Sequence, residues 1–293
     1  MEYLIIAAMA VLACTKVTIQ SGYSKMAVSG FRDSIMYNFI MFVTVGVIFM
    51  PFLFFSEFNL DTVIFGCIMG VLSVAFQVSY MLAFSKGKTA LVTTVGNFSM
   101  IIPILVCCVF FSEPFTAKRI AGTALAVVAL CFITAKNKNN CATESTASRG
   151  WLLFTLISFF CNGLISVNQK IYARVSVEFN VFCFVATAYI TAAIMSFVVY
   201  CVSGRRKKAE ISKNKPDKAC LVSGIITGAI LGTFQCVSTY AASVIDGTVL
   251  YSAYNCITSI MIVFAGRLIF KEKLSAKQYV GVVLGMGAVL CMV

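Results

Sequence analysis

A chain of 293 residues that is 60% hydrophobic and 12% charged, with a mean hydropathy of +0.95, has too little polar surface for a water-soluble globule of its size. The bilayer has to be its solvent. The net charge of +12 does not point to nucleic acid, because Lys and Arg fall in short gaps between apolar runs, the pattern that membrane insertion imposes. Thirteen Cys and no His exclude imidazole chemistry. The Cys sit inside apolar runs with no C-x-x-C spacing, so neither a disulfide framework nor a metal site or other cofactor is expected.

Runs of about 20 apolar residues are the unit of a membrane helix. In chain order they are Glu2–Ser21, Ser34–Phe55, Leu60–Phe84, Ala90–Phe111 and Thr116–Ala135, then Gly150–Gln169, Asn180–Ser203, Ala219–Ser243, Thr248–Phe270 and Ser275–Val293. Val11-Leu-Ala-Cys14 faintly resembles a lipoprotein cleavage box, but no basic residue precedes the run, so the first segment is expected to be retained. Pro103 falls inside the fourth run and removes the helical bond to the Ser99 carbonyl. Its counterpart in the ninth, Met261 or Ile262, is not Pro, so a bend is expected in the fourth helix and not in the ninth.

The chain repeats itself. At an offset of 158, Gly66/Gly224, Gly70/Gly228, Phe76/Phe234, Gln77/Gln235, Ala83/Ala241, Ser85/Ser243 and Asn97/Asn255 match. Glu113 to Gly122 echoes Glu272 to Gly281, and Gln20-x-x-Tyr23 echoes Gln169-x-x-Tyr172. Three echoes in the same order describe a duplicated unit: residues 1–136, a polar linker 137–149, and residues 150–293. Five crossings per unit is an odd number, so the second copy enters from the opposite side. The expected fold is therefore an all-α membrane protein of ten transmembrane helices in two inverted five-helix repeats. The Gly66/Gly70 and Gly224/Gly228/Gly232 stripes are expected at close helix contacts.

With the N-terminus outside, the cytoplasmic gaps hold eighteen basic residues, seven of them in Arg205–Lys218, and the outer gaps only Lys118, Arg119, Lys170 and Arg174. The positive-inside rule then places both termini outside. Trp151, the single Trp, is expected at an interface.

Every acidic residue lies outside the runs or at their ends, so no carboxylate at the membrane centre is available for proton coupling. Amides remain. Gln77 and Asn97 sit at similar depths on consecutive antiparallel runs, as do Gln235 and Asn255 from the other face, so Gln–Asn pairs are expected to flank the midplane. Two readings stand for them: helix clamps, or the lining of a substrate site. Tyr80, Tyr251, Tyr254, Asn162 and Asn38 are further candidates, with an interfacial role as the alternative for the tyrosines. Lys16 is the one basic residue well inside a run. Either its stem carries the ammonium to the headgroups, or the cation faces a central cavity and favours a carboxylate or phosphate.

The twin Glu-x-x-[Thr/Ser]-Ala-Lys-x-x-x-Gly turns, joined to two sets of five runs, make the chain resemble the drug/metabolite transporter superfamily, specifically its EamA-type members. The resemblance implies a monomeric ten-helix carrier, with a homodimer as the alternative, whose central cavity is lined mainly by helices one, three, four, six, eight and nine. It also implies alternating access and amino acids, other small metabolites or drugs as substrates. Glu113, Gly122, Glu272 and Gly281 match it as fold positions. The family is generally drawn with cytoplasmic termini; here the charges are followed instead. The resulting expectation is a bacterial inner-membrane exporter, in contact with lipid and a small-molecule substrate and not with nucleic acid. Gln77, Asn97, Gln235, Asn255, Lys16, Tyr80, Tyr254, Asn162 and Asn38 are its candidate substrate-binding residues. Lacking His and any buried acid, it is not expected to be an enzyme; the alternative is a non-transporting scaffold or sensor with a dry core.

Overall fold

The structure, a computed structural model, describes residues 2–55, 59–87, 89–111, 117–134, 149–176, 178–206, 217–269 and 276–292. These form helices α1 (Glu2–Ala27), α2 (Phe31–Phe49), α3 (Pro51–Phe54), α4 (Leu60–Lys86), α5 (Thr89–Asn97), α6 (Ile101–Phe110), α7 (Ala117–Thr134), α8 (Arg149–Val175), α9 (Val181–Arg206), α10 (Lys218–Val244), α11 (Gly247–Ile269) and α12 (Ala276–Met292). No strand occurs among the described residues. Lipid offers no hydrogen bonds, so each apolar run satisfies its backbone internally as a helix. Among the described residues, six segments are long and apolar enough to cross a membrane: Glu2–Ala27, Phe31–Phe54, Leu60–Lys86, Val181–Ser203, Lys218–Val244 and Gly247–Ile269. Glu113, Glu272, nearly all of the linker and residues 207–216 of the basic run lie outside the described residues, as does the Trp151 side chain.

Proline punctuates two of the runs. Pro51 opens α3 directly after α2, where its missing N–H costs nothing. In the fourth run a 3-10 turn at Phe98–Met100 separates α5 from α6, and Pro103 cannot donate to Ser99. The corresponding α11 is unbroken.

Two helices outrun their hydropathy. α1 continues past Ser21 to Ala27, and α8 past Gln169 to Val175. The polar residues that mark an end in the sequence are instead buried against a neighbour: Ser24 Oγ donates to the Met81 carbonyl at 2.7 Å. Lys170, counted above in an outer gap, is 1% exposed. Its Nζ donates to the Ile245 carbonyl at 2.9 Å, placing a cation at the C-terminal end of α10.

The halves interlock. α4 packs on α8 and α9, α10 on α1 and α2, α2 on α9, and α7 on α12. The glycine stripes make the crossing contacts. A Cβ on Gly70 would stand 2.5 Å from the Ala188 carbonyl oxygen and 2.8 Å from Thr191 Cβ; one on Gly228 would stand 2.7 Å from the Met41 oxygen and 2.8 Å from Thr44 Cβ. Gly66 and Gly224 lie one turn away against Thr187 and Ile40. Small residues thus let backbones meet where lipid supplies no hydrophobic drive, while Ile64, Ile68 and Val71 of α4 point outward. Beside these seams Tyr172 stacks on Phe184 (4.3 Å between centroids) and its repeat twin Tyr23 stacks on Tyr37 (4.7 Å).

Candidate functional site

Gln20 and Gln169, at the expected ends of their runs, lie inside α1 and α8 and meet the glutamines on α4 and α10. Gln20 Nε2 donates to Gln77 Oε1 at 3.1 Å, and Gln169 Nε2 donates to Gln235 Oε1 at 2.9 Å. The second bond is reinforced: Gln169 Nε2 also reaches Thr239 Oγ1 at 3.0 Å, and Ser238 Oγ donates to Gln169 Oε1 at 3.3 Å. The described amide bonds therefore join the first and third runs of each half, rather than the third and fourth as depth alone suggests.

The asparagines tie one half to the other. Asn97 Nδ2 donates to Ser259 Oγ at 2.6 Å, and that hydroxyl donates to the Asn255 carbonyl at 2.7 Å. The repeat twins Asn97 and Asn255 are thus linked through one serine. Asn255 Nδ2 turns back to the Tyr251 carbonyl of its own helix, 2.7 Å away. Asn162 Nδ2 donates to Ser99 Oγ at 2.7 Å, so the 3-10 turn ahead of Pro103 is held from α8.

Where the halves meet lies a cavity of about 60 Å³, above the ~10–15 Å³ needed to admit a water. From the first half Lys16, Phe76, Tyr80, Thr93 and Asn97 line it; from the second, Asn162, Ile165, Phe234, Gln235, Tyr254 and Thr258. The contributing helices are α1, α4, α5, α8, α10 and α11. Its walls are aromatic, with Phe76 stacked on Tyr80 (5.1 Å) and Phe234 tilted against Tyr254 (5.8 Å).

Lys16 is 6% exposed. Its Nζ stands over the Phe76 ring, 5.7 Å from the centroid, in cation–π range. Eleven residues of α1 follow it before the helix ends at Ala27, and Lys16 lines the cavity, the arrangement the cavity reading expects. A Lys at the centre of a membrane helix costs about 2.5–3.5 kcal/mol on insertion scales unless it is paired or hydrated.

The sequence pattern of the EamA-like transporter family matches twice, over residues 4–135 and 149–293. The chain belongs to the EamA-like transporter family. This EamA-like chain is accordingly an integral membrane protein of the drug/metabolite transporter superfamily. An uncharacterized protein of Haemophilus influenzae is 21% identical to it over 198 residues, 66% of this chain; the chain spans 62% of that relative's length. A solved crystal structure matches 99% of the EamA-like chain and 95% of its own, with a TM-score of 0.70 at 13% identity, a likeness of fold alone.

Of the nine candidate residues, the cavity of this EamA-like protein collects Lys16, Tyr80, Asn97, Asn162, Gln235 and Tyr254. Three lie elsewhere. Gln77 is buried against Gln20, Asn255 is bonded within α11, and Asn38 donates to the Ser34 carbonyl at 2.8 Å on the far side of α4. The Gln20/Gln169 echo was the signal for the clamp partners, because the duplicated glutamines occur in matched sets. No comparable signal marks Thr93, Thr258 or Ile165, whose place at the cavity depends on helix rotation.

Proposed function

We propose that this protein is a secondary transporter carrying a small metabolite outward across the inner membrane by alternating access, with the two halves rocking about the cavity between them. The observation that carries this reading is a polar, partly enclosed cavity built from three helices of each half, with a buried lysine facing it. A scaffold with a dry core has no use for such a site.

The pairing of helices supports an inverted repeat. Exchanging α1 with α8, α2 with α9, α4 with α10 and α7 with α12 converts α4–α8 into α10–α1 and α4–α9 into α10–α2, and leaves α2–α9 and α7–α12 unchanged. That is the pattern of a pseudo-two-fold axis. Counting α2 with α3 and α5 with α6 as single crossings makes ten, and five per half reverses the second copy. With Lys170 buried, the outer side holds still fewer exposed basic residues, which favours termini outside. The purified chain in liposomes, tested for flux across a panel of small metabolites, is expected to give saturable uptake for one class. Absence of flux for every class would sink the transporter reading.

A further inference from the structure

We propose that the cavity takes a small monocarboxylate, with the Lys16 ammonium as its counterion. The inference deepens the transporter reading and rests on it. Among the described residues lining the cavity, Lys16 is the one charged side chain, and no described residue makes an ion pair or hydrogen bond with it. A single buried cation in a low-dielectric site attracts one negative charge, and the loaded cavity is then neutral.

The repeat itself argues for one charge and not two. Residues at helix–helix contacts away from the cavity are duplicated: Gln20/Gln169, Tyr23/Tyr172 and the glycine stripes. At the offset of 149 that relates Gln20 to Gln169, the twin of Lys16 is Ile165 and the twin of Asn162 is Ala13, and all four line the cavity. The aromatic wall keeps the duplication in Phe76/Phe234, and the duplication is broken at the charged position. A second carboxylate would meet aliphatic Ile165 at the place equivalent to Lys16, and an ammonium would meet no described acid. The hydroxyls of Thr258, Tyr80 and Tyr254 are donors suited to the carboxylate's second oxygen, and the Phe76 and Phe234 rings suit an apolar body.

The test is a charge series at nearly constant shape, in proteoliposomes of the full chain: lactate, lactamide, alanine and malonate, repeated one size up with phenyllactate, phenyllactamide, phenylalanine and phenylmalonate. The monoanions are expected to carry flux and to raise the melting temperature of the detergent-solubilised protein by mass action. Flux of amides, zwitterions or dianions equal to that of the monoanions, or no monoanion flux beside flux of another class in the metabolite panel, overturns this inference alone; no flux for any class in that panel overturns the transporter reading beneath it. Lys16→Gln is expected to cut monoanion flux by at least about tenfold, the worth of a charge-assisted hydrogen bond, and unchanged monoanion flux in that variant refutes the role of Lys16. Ile165→Lys, which supplies the missing twin, is expected to shift preference toward malonate; since the wild-type series stands without either variant, a folding failure in one leaves the test intact.

Discussion

Replacing Gly70 by Ala tests whether the crossing seam between α4 and α9 is as close as described. The added methyl would lie 2.5 Å from the Ala188 carbonyl oxygen, about 0.9 Å inside the 3.4 Å at which ordinary contact begins, and also 2.8 Å from Thr191 Cβ. The first obstacle is backbone, so relief requires α9 to move as a body. Overpacking of this kind costs about 1–3 kcal/mol. Gly22 on α1 is the control, since a Cβ there meets nothing within 4 Å. Both changes gain similarly from replacing a helical glycine, about 0.5–1 kcal/mol, so that gain cancels in their comparison and the overpacking cost remains. At about 2–4 °C per kcal/mol for a chain of this size, Gly70→Ala is expected to melt several degrees below Gly22→Ala in thermal unfolding of the detergent-solubilised protein. Gly228→Ala, whose methyl would meet the Met41 oxygen at 2.7 Å, is expected to match Gly70→Ala. Equal melting of the Gly70 and Gly22 variants would refute the close seam, and a large effect at only one of Gly70 and Gly228 would refute its symmetry.

Three further outcomes are expected. A double-mutant cycle on Gln169 and Gln235 should give a coupling of about 0.6 kcal/mol and not above ~1.7 kcal/mol, as for hydrogen bonds between membrane helices; a coupling of zero would mean the two amides do not bond. Pro103→Ala restores a donor for the Ser99 carbonyl, so hydrogen exchange around residues 99–104 should slow; unchanged exchange would assign the break to the Asn162–Ser99 bond instead. In a background stripped of native cysteines, Gly87→Cys should react with an impermeant thiol reagent from the cytoplasmic side and Asp246→Cys from the outside. Reaction of both from one side would end the inverted-repeat reading.

The sequence by itself determined that the chain lives in a bilayer, that its unit is duplicated, and where its backbones approach most closely. These properties are local or periodic. Apolar run length answers to bilayer thickness, a duplication is visible at constant offset, and Gly66, Gly70, Gly224 and Gly228 announce close contact because no larger residue fits there. What only the tertiary structure decided is which polar groups face one another. Gln77 and Asn97 share a depth, yet depth leaves the rotation of each helix open, and the partners turned out to be Gln20 and Ser259. Hydropathy ended α1 at Ser21 because hydroxyls and amides read as water-facing, whereas Gln20 and Ser24 are satisfied by α4 across the interface. Those six further residues place Lys16 well inside α1 rather than near its end. A polar side chain in lipid is either an end or half of a pair, and only the packing of a second helix against it decides which.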